Sequence, residues 1–214
     1  MKVGILGSGV VAQTLGAGFV KYGHCVMLGT RNPQKLQRWV NDVGENASSG
    51  SFEQAAEFGE LLVLAVKGAA AMDVLQSTGS ANVRGKTIID ATNPISAEPP
   101  VNGVLNFFTD QNGSLMEELQ KFFSEAMFVK AFSCVGAAFM VNPGFAGIKP
   151  TMFIAGNSNA AKRQVTEILD LFGWETEDMG TAEAARAIEP LCKLWCIPGF
   201  RDNRWSHAFK LLVK

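Results

Sequence analysis

A chain of 214 residues with 47% hydrophobic content and a formal net charge of −1 can bury one large core. Its near-balanced charge argues against a general nucleic-acid binder or a polybasic membrane anchor, so neither nucleic acid nor a membrane is expected as partner. One of the two longest uncharged stretches, residues 131–148, carries Ser133 and Gly136 and is broken by Asn142-Pro143-Gly144, which excludes a spanning helix there.

Met1 to Leu6 reads as a short buried strand that runs into Gly7-Ser8-Gly9-Val10-Val11-Ala12. Directly afterwards Val11, Leu15 and Phe19 recur at helical spacing. A strand that breaks on glycines and opens a helix is the context a dinucleotide phosphate site needs. Gly7 allows the tight turn, Gly9 leaves room for a pyrophosphate, and Ala12 lets helix and strand pack closely. The helix start adds unpaired N–H groups and the positive end of its dipole.

Gly23 closes this helix, and His24 to Leu28 forms a second strand followed by Gly29-Thr30-Arg31-Asn32. In the dinucleotide fold an acid at this strand end accepts the ribose hydroxyls of NAD. Thr30 and Arg31 instead offer a hydroxyl and a guanidinium, groups suited to a 2′-phosphate, and Lys35 adds a charge one turn later. NADP is therefore expected over NAD; the plainer alternative is a solvated strand-end arginine.

Asn32-Pro33 is a helix start, Leu36, Trp39, Val40 and Val43 supply its buried face, and Gly44 stops it. A loop around a short strand fills residues 45–52, and Phe52 to Phe58 reads as a turn or two of helix. Leu61 to Val66 is the clearest central strand, with Val66-Lys67-Gly68 expected at the cofactor edge of a parallel sheet. A helix over Ala69 to Gln76 and a buried strand over Thr87 to Asp90 follow, leading into Ala91-Thr92-Asn93-Pro94-Ile95. This alternation predicts an α/β fold, a doubly wound and mostly parallel sheet with right-handed crossovers. Residues 96–114 are loop-like, a length that is often functional. Leu115 to Phe123 resumes as helix, and Phe128 to Ala131 and Phe153 to Ala155 as strands. A helix capped at Asn157 or Ser158 buries Val165, Ile168, Leu169 and Phe172, and Trp174 to Glu177 is a candidate edge strand. From Thr181 a helical tail begins, expected to be interrupted at Pro190 and Pro198. The whole chain, 1–214, is read as one domain that includes this tail, 181–214.

Cys25, Cys134, Cys192 and Cys196 lack C-x-x-C spacing and read as reduced thiols, while two histidines make a metal site improbable. Met1 opens directly into a strand, with no basic n-region or cleavage site, so a cytoplasmic location is expected. His24 fits a capping role, and His207, with no acid nearby, a structural one.

The chain resembles the NADP-dependent oxidoreductases that reduce or oxidise coenzyme F420, a 5-deazaflavin. The reductase domain of the mammalian metalloreductases, which uses an ordinary flavin, looks like the same module. The resemblance rests on Gly7-Ser8-Gly9, Gly23-His24, Gly29-Thr30-Arg31-Asn32-Pro33 and Asp90-Ala91-Thr92-Asn93-Pro94. It continues through Val129-Lys130-Ala131-Phe132, Ala155-Gly156-Asn157 and the tail, with Glu189-Pro190-Leu191 and Ala208-Phe209-Lys210.

The resemblance implies that Ser8, Gly9, Val10 and Val11 hold the pyrophosphate, with Gly7 in the same cofactor-binding turn, and that Thr30, Arg31 and Lys35 hold the 2′-phosphate. Val66, Asn93 and Ala137 would line the nicotinamide side. Ser133, Cys134 and Val135 fall in the stretch that contacts the deazaflavin, where the family commonly has Asn or His followed by Thr. NADP(H) is the implied cofactor, with F420, FMN or FAD as co-substrate, a small-molecule redox acceptor as partner, and a homodimer as one possible assembly. Hydride transfer between stacked rings asks for alignment more than for an acid or base, so no catalytic side chain is nominated. Two other readings remain open: a small imine or keto-acid reductase, and a non-catalytic NADP-binding sensor.

Overall fold

The computed structural model describes all 214 residues, Met1–Lys214, and places alternating strands and helices around a parallel sheet. Lys2–Leu6 (β1) leads into Val10–Lys21 (α1), and Cys25–Gly29 (β2) into a 3-10 turn at Pro33–Leu36 and the helix Gln37–Val43 (α2). Ala47–Gly50 (β3), Phe52–Phe58 (α3), Leu61–Leu64 (β4), Ala71–Ser77 (α4), Ser80–Val83 (α5) and Thr87–Asp90 (β5) follow. Beyond the long loop come Leu115–Phe122 (α6), Met127–Lys130 (β6), Thr151–Ile154 (β7), Asn159–Leu171 (α7) and Glu175–Asp178 (β8). The tail contributes Ala185–Ile188 (α8) and Leu191–Asp202 (α9).

The main sheet runs β3-β2-β1-β4-β5-β6 with every pairing parallel, the doubly wound architecture expected from the alternation of elements. Strands covered on both faces need unbroken apolar runs, and every residue of β4 is buried. Side-chain alternation divides the core. Val3, Ile5, Leu61 and Val63 pack with Leu15, Phe19, Val165 and Phe172 on one face. Leu6, Leu62, Leu64 and Ile88 pack with Val74, Met116 and Leu119 on the other. β7 and β8 form a separate parallel pair, joined to β6 by one antiparallel bridge between Lys130 and Ala155.

The structure departs from the sequence reading in three places. Asn32 makes no side-chain cap, and its proline opens a tight 3-10 turn before α2 begins. The short α5 had no counterpart in the predicted elements. Pro198 does not interrupt the tail but lies inside α9, where a proline forfeits one hydrogen bond while packing keeps the helix together. Trp195 in that helix is buried, stacks on His207 with ring centroids 4.9 Å apart, and donates from Nε1 to the His207 carbonyl at 2.9 Å. The last residues then run back beside β7. Thr151 N–H donates to the Phe209 carbonyl at 2.9 Å, and Lys210 Nζ reaches Glu175 at 2.6 Å. No helix is long and apolar enough to cross a membrane.

Candidate functional site

The strand order reverses between β1 and β4, and an open parallel sheet leaves a crevice outside the carboxyl ends of the strands at such a point. A groove of about 660 Å³ occupies it. One wall is the turn Gly7-Ser8-Gly9-Val10-Val11, and the other is Ala65-Val66-Lys67 at the end of β4, with Ala91 beyond β5. Phe52, Ala70, Asp73, Val74, Ser77, Thr30 and Arg31 complete its lining.

The two glycines of the turn serve different ends. Gly7 has φ +148°, and a Cβ there would lie 2.2 Å from the Ala65 carbonyl oxygen. It is therefore required for the fold, bringing β1 against the end of β4. Gly9 has an ordinary φ of −78°, and a Cβ there would meet nothing within 4 Å. Its missing side chain leaves open space over the start of α1. No side chain caps that helix, so the N–H groups of its first turn are unpaired and face the groove mouth with the positive end of the dipole. Such an arrangement fits a pyrophosphate.

Thr30, buried at the end of β2, donates its hydroxyl to Ser8 Oγ at 3.2 Å and accepts from Asn32 N–H at 3.4 Å. These bonds couple the strand-two end to the phosphate turn. Arg31 next to it is exposed and unpaired with any carboxylate. A guanidinium with five free donors at the groove rim is the group expected to meet a phosphate. Lys35 stands on the following turn, exposed and outside the groove lining.

A second cleft of about 380 Å³ shares Val66, Lys67 and Ala91 with the groove and continues along Gly68, Asn93, Ile95 and Ser96. Asn93 donates from Nδ2 to the Ser133 carbonyl at 3.1 Å, while its Oδ1 has no partner. Ser133, Cys134 and Val135 are themselves buried, and their side chains line neither cleft; Asn93 is their link to it. Burial pushes the Cys134 thiol up to about 12, which leaves it protonated. Ala137 is half-buried at a 3-10 turn and also lies outside both clefts. Of the residues named from the sequence, the structure gathers Gly7 to Val11, Thr30, Arg31 and Val66 in one groove and Asn93 in the next.

Sequence reasoning missed the charges behind this surface. Lys130 Nζ is completely buried, 2.7 Å from Asp90 Oδ2, 2.8 Å from Glu189 Oε1 and 2.9 Å from the Thr92 carbonyl it donates to. Burial alone would discharge this ammonium, but the two carboxylates outweigh it and hold its pKa above the ordinary lysine value. Asp90 Oδ1 accepts from the backbone N–H and hydroxyl of Thr92, which orients the strand end that carries Asn93. All three charged residues stand in stretches that carry the family resemblance, although spacing alone gave no sign that they meet. Lys67, on the rim of both clefts, was legible only as part of Val66-Lys67-Gly68 at the cofactor edge of the sheet.

Comparison with known proteins shows the family. The family described as NADP oxidoreductase, coenzyme F420-dependent, matches residues 2–94. A structure from Arthrobacter sp. FB24, assigned as an F420-dependent NADP reductase, is 30% identical and superposes with a TM-score of 0.92 over the whole of both chains. The rat metalloreductase STEAP3 is 28% identical over 201 residues, which span 92% of this chain but only 38% of that protein. A reductive aminase from Aspergillus terreus, solved with NADPH, is 18% identical with a TM-score of 0.67, covering 93% of this chain and 62% of its own, a likeness of fold. The chain belongs to the F420-dependent family of NADP oxidoreductases.

Proposed function

We propose that the groove binds NADPH and that the chain transfers a hydride between it and a deazaflavin or flavin-type ring. The observation that carries this reading is the pairing, within one groove, of an uncapped helix start beneath Gly9 with the unpaired Arg31 at the end of β2. The first suits a pyrophosphate, and the second suits a 2′-phosphate where an NAD-binding protein would carry an acid. The Arthrobacter relative, assigned as an F420-dependent NADP reductase, supports the same pairing of cofactor and acceptor.

Bound NADPH would supply the hydride from its nicotinamide. The chain's own contribution is to bind and orient. The α1 start and Thr30–Ser8 hold the phosphates, Val66 and Ala91 provide the apolar wall beyond them, and Asn93 sets the edge of the second cleft. No side chain on these walls is required as general acid or base, because alignment of two rings at contact distance is the main demand.

Titrating NADPH fluorescence, then following its oxidation on adding F420, FMN or a ferric chelate, tests the proposal. Saturable binding with turnover of one of these acceptors is expected. Tight binding with no turnover would favour a sensor, and no binding would remove the reading. Self-association through the tail, where Leu194, Phe200 and Trp205 are exposed, belongs to the same proposal and is read by sedimentation.

A further inference from the structure

Resting on the reading that the groove takes NADPH, we propose that the buried trio Asp90, Lys130 and Glu189 tunes the redox balance of the bound nucleotide. Its excess negative charge favours NADP⁺ over NADPH. The trio holds two carboxylates and one ammonium, with Lys130 Nζ 2.7 Å from Asp90 Oδ2 and 2.8 Å from Glu189 Oε1. All three side chains are buried, and neither carboxylate pairs with a second cation. Neutral donors share the load without cancelling it. Asp90 Oδ1 accepts from the N–H and hydroxyl of Thr92. Glu189 accepts from Leu115 and Met116 N–H at the start of α6, where the helix dipole offers about half a unit charge.

Position gives this charge its effect. Asp90 ends β5, and the next residue, Ala91, lines both the groove and the second cleft. Lys130 Nζ donates to the Thr92 carbonyl at 2.9 Å, and Asn93 follows on the wall of the second cleft. The trio therefore stands behind the wall that the two clefts share. A nicotinamide lying against Val66 and Ala91 would have the excess charge at its back. When the dihydronicotinamide gives up a hydride, its two electrons leave with the hydrogen and the ring becomes cationic. A buried negative charge thus acts on the oxidised nucleotide and hardly on the reduced one. Arg31, Lys67 and Asp73, the ionisable groups lining the groove, are exposed, where water and salt screen them. The trio is out of water, and its field is felt through a lower dielectric. Tighter binding of NADP⁺ makes bound NADPH the stronger hydride donor, so the trio biases transfer away from the nucleotide.

Calorimetric Kd values for NADP⁺ and NADPH on the same protein test the proposal without any acceptor. Their ratio isolates the ring charge, because the two nucleotides share every phosphate. Relative to the wild type, Glu189→Gln and Asp90→Asn should each raise Kd(NADP⁺)/Kd(NADPH) by roughly three- to tenfold. Tenfold corresponds to about 30 mV in a two-electron couple. Either variant suffices, since they remove the same unit charge from opposite sides of Lys130. Glu189→Asp keeps the charge and should leave the ratio within about twofold of the wild type. Raising NaCl about tenfold should weaken both nucleotides together and leave the wild-type ratio nearly unchanged. A ratio that stays at the wild-type value in a charge-removing variant would overturn the proposal. Equal weakening of both nucleotides is that same outcome and would leave the trio a purely structural role. A wild-type ratio that salt abolishes would also overturn it, giving the effect to exposed charges. If the wild type binds neither nucleotide, the reading of the groove itself fails and takes this proposal with it.

Discussion

Lys130 and Glu189 meet inside the protein with Nζ 2.8 Å from Oε1, joining the end of β6 to the start of the helical tail. The same Glu189 carboxylate accepts the backbone N–H groups of Leu115 at 3.0 Å and Met116 at 3.1 Å, so it also caps α6. One acidic side chain thereby neutralises a buried cation and satisfies two orphan donors at a helix start. With Asp90 on the other side of the ammonium, strand ends, helix and tail are fixed as a unit behind the second cleft.

Removing the cation should therefore cost more than weakening one of its partners. Lys130→Met leaves two carboxylates buried together, and breaking such a pair costs about 3–5 kcal/mol. Glu189→Gln should cost less, since the Lys130–Asp90 contact survives and one amide oxygen can still accept. Urea midpoints of the two variants check the order; a near-neutral Lys130→Met would show that the network contributes little.

The opening turn separates folding from binding within two residues. Gly7→Ala forces a Cβ onto the Ala65 carbonyl at a φ that side chains avoid, and it should lower the thermal midpoint sharply. At Gly9 a Cβ meets no protein atom within 4 Å, so the thermal midpoint of Gly9→Val should stay close to that of the wild type. Its side chain would fill the space over the α1 start, and NADPH binding should be lost. Calorimetry and fluorescence titration on the same samples read the two effects apart. A Gly9→Val protein that still binds NADPH would place the pyrophosphate elsewhere.

On the proposed reading, Arg31 distinguishes between the two nicotinamide nucleotides. Arg31→Ala should weaken NADPH by roughly 1.5–3 kcal/mol, the range for hydrogen bonds to a charged group, and leave NADH nearly untouched. Parallel fluorescence titrations with both nucleotides settle it. Equal losses would detach the 2′-phosphate from this side chain.

The elements were legible where local physics decides them. Buried parallel strands announce themselves as apolar runs between turn residues, and Thr87–Asp90 and Phe52–Phe58 fall where their patterns placed them. The groove was legible because a glycine turn, a strand before it and a helix after it are contiguous in the chain. What spacing could not reveal were contacts between distant residues. Asp90, Lys130 and Glu189 belong to three separate elements, and periodicity carries no information about which strand ends become neighbours. Pro198 shows the same limit: its local preference is to stop a helix, and packing around Trp195 overrides it. The second cleft depends on how the loop after β5 folds against the Lys67-Gly68 turn, a tertiary relation with no motif of its own.

His24 should give the protein a pH-dependent stability near neutrality. Its ring lies edge-on to Phe19 at 5.8 Å, and its Nδ1 is 3.4 Å from the Met1 ammonium. Burial, and then the positive charge of that ammonium, lower its pKa below the ordinary 6.5. The unfolded chain consequently takes up a proton on His24 at a higher pH than the folded one does. Between the two pKa values the unfolded state holds more protons, so unfolding becomes easier as pH falls. The contribution is complete above 6.5 and disappears as pH drops through the folded-state value. Urea midpoints of the wild type should decline across this window, and His24→Gln should flatten that part of the curve. Acetylating the Met1 amine should narrow the window, because the charge that adds to burial is gone while the contact with Phe19 remains. A His24→Gln curve parallel to the wild type over the same pH range would mean that another group titrates there.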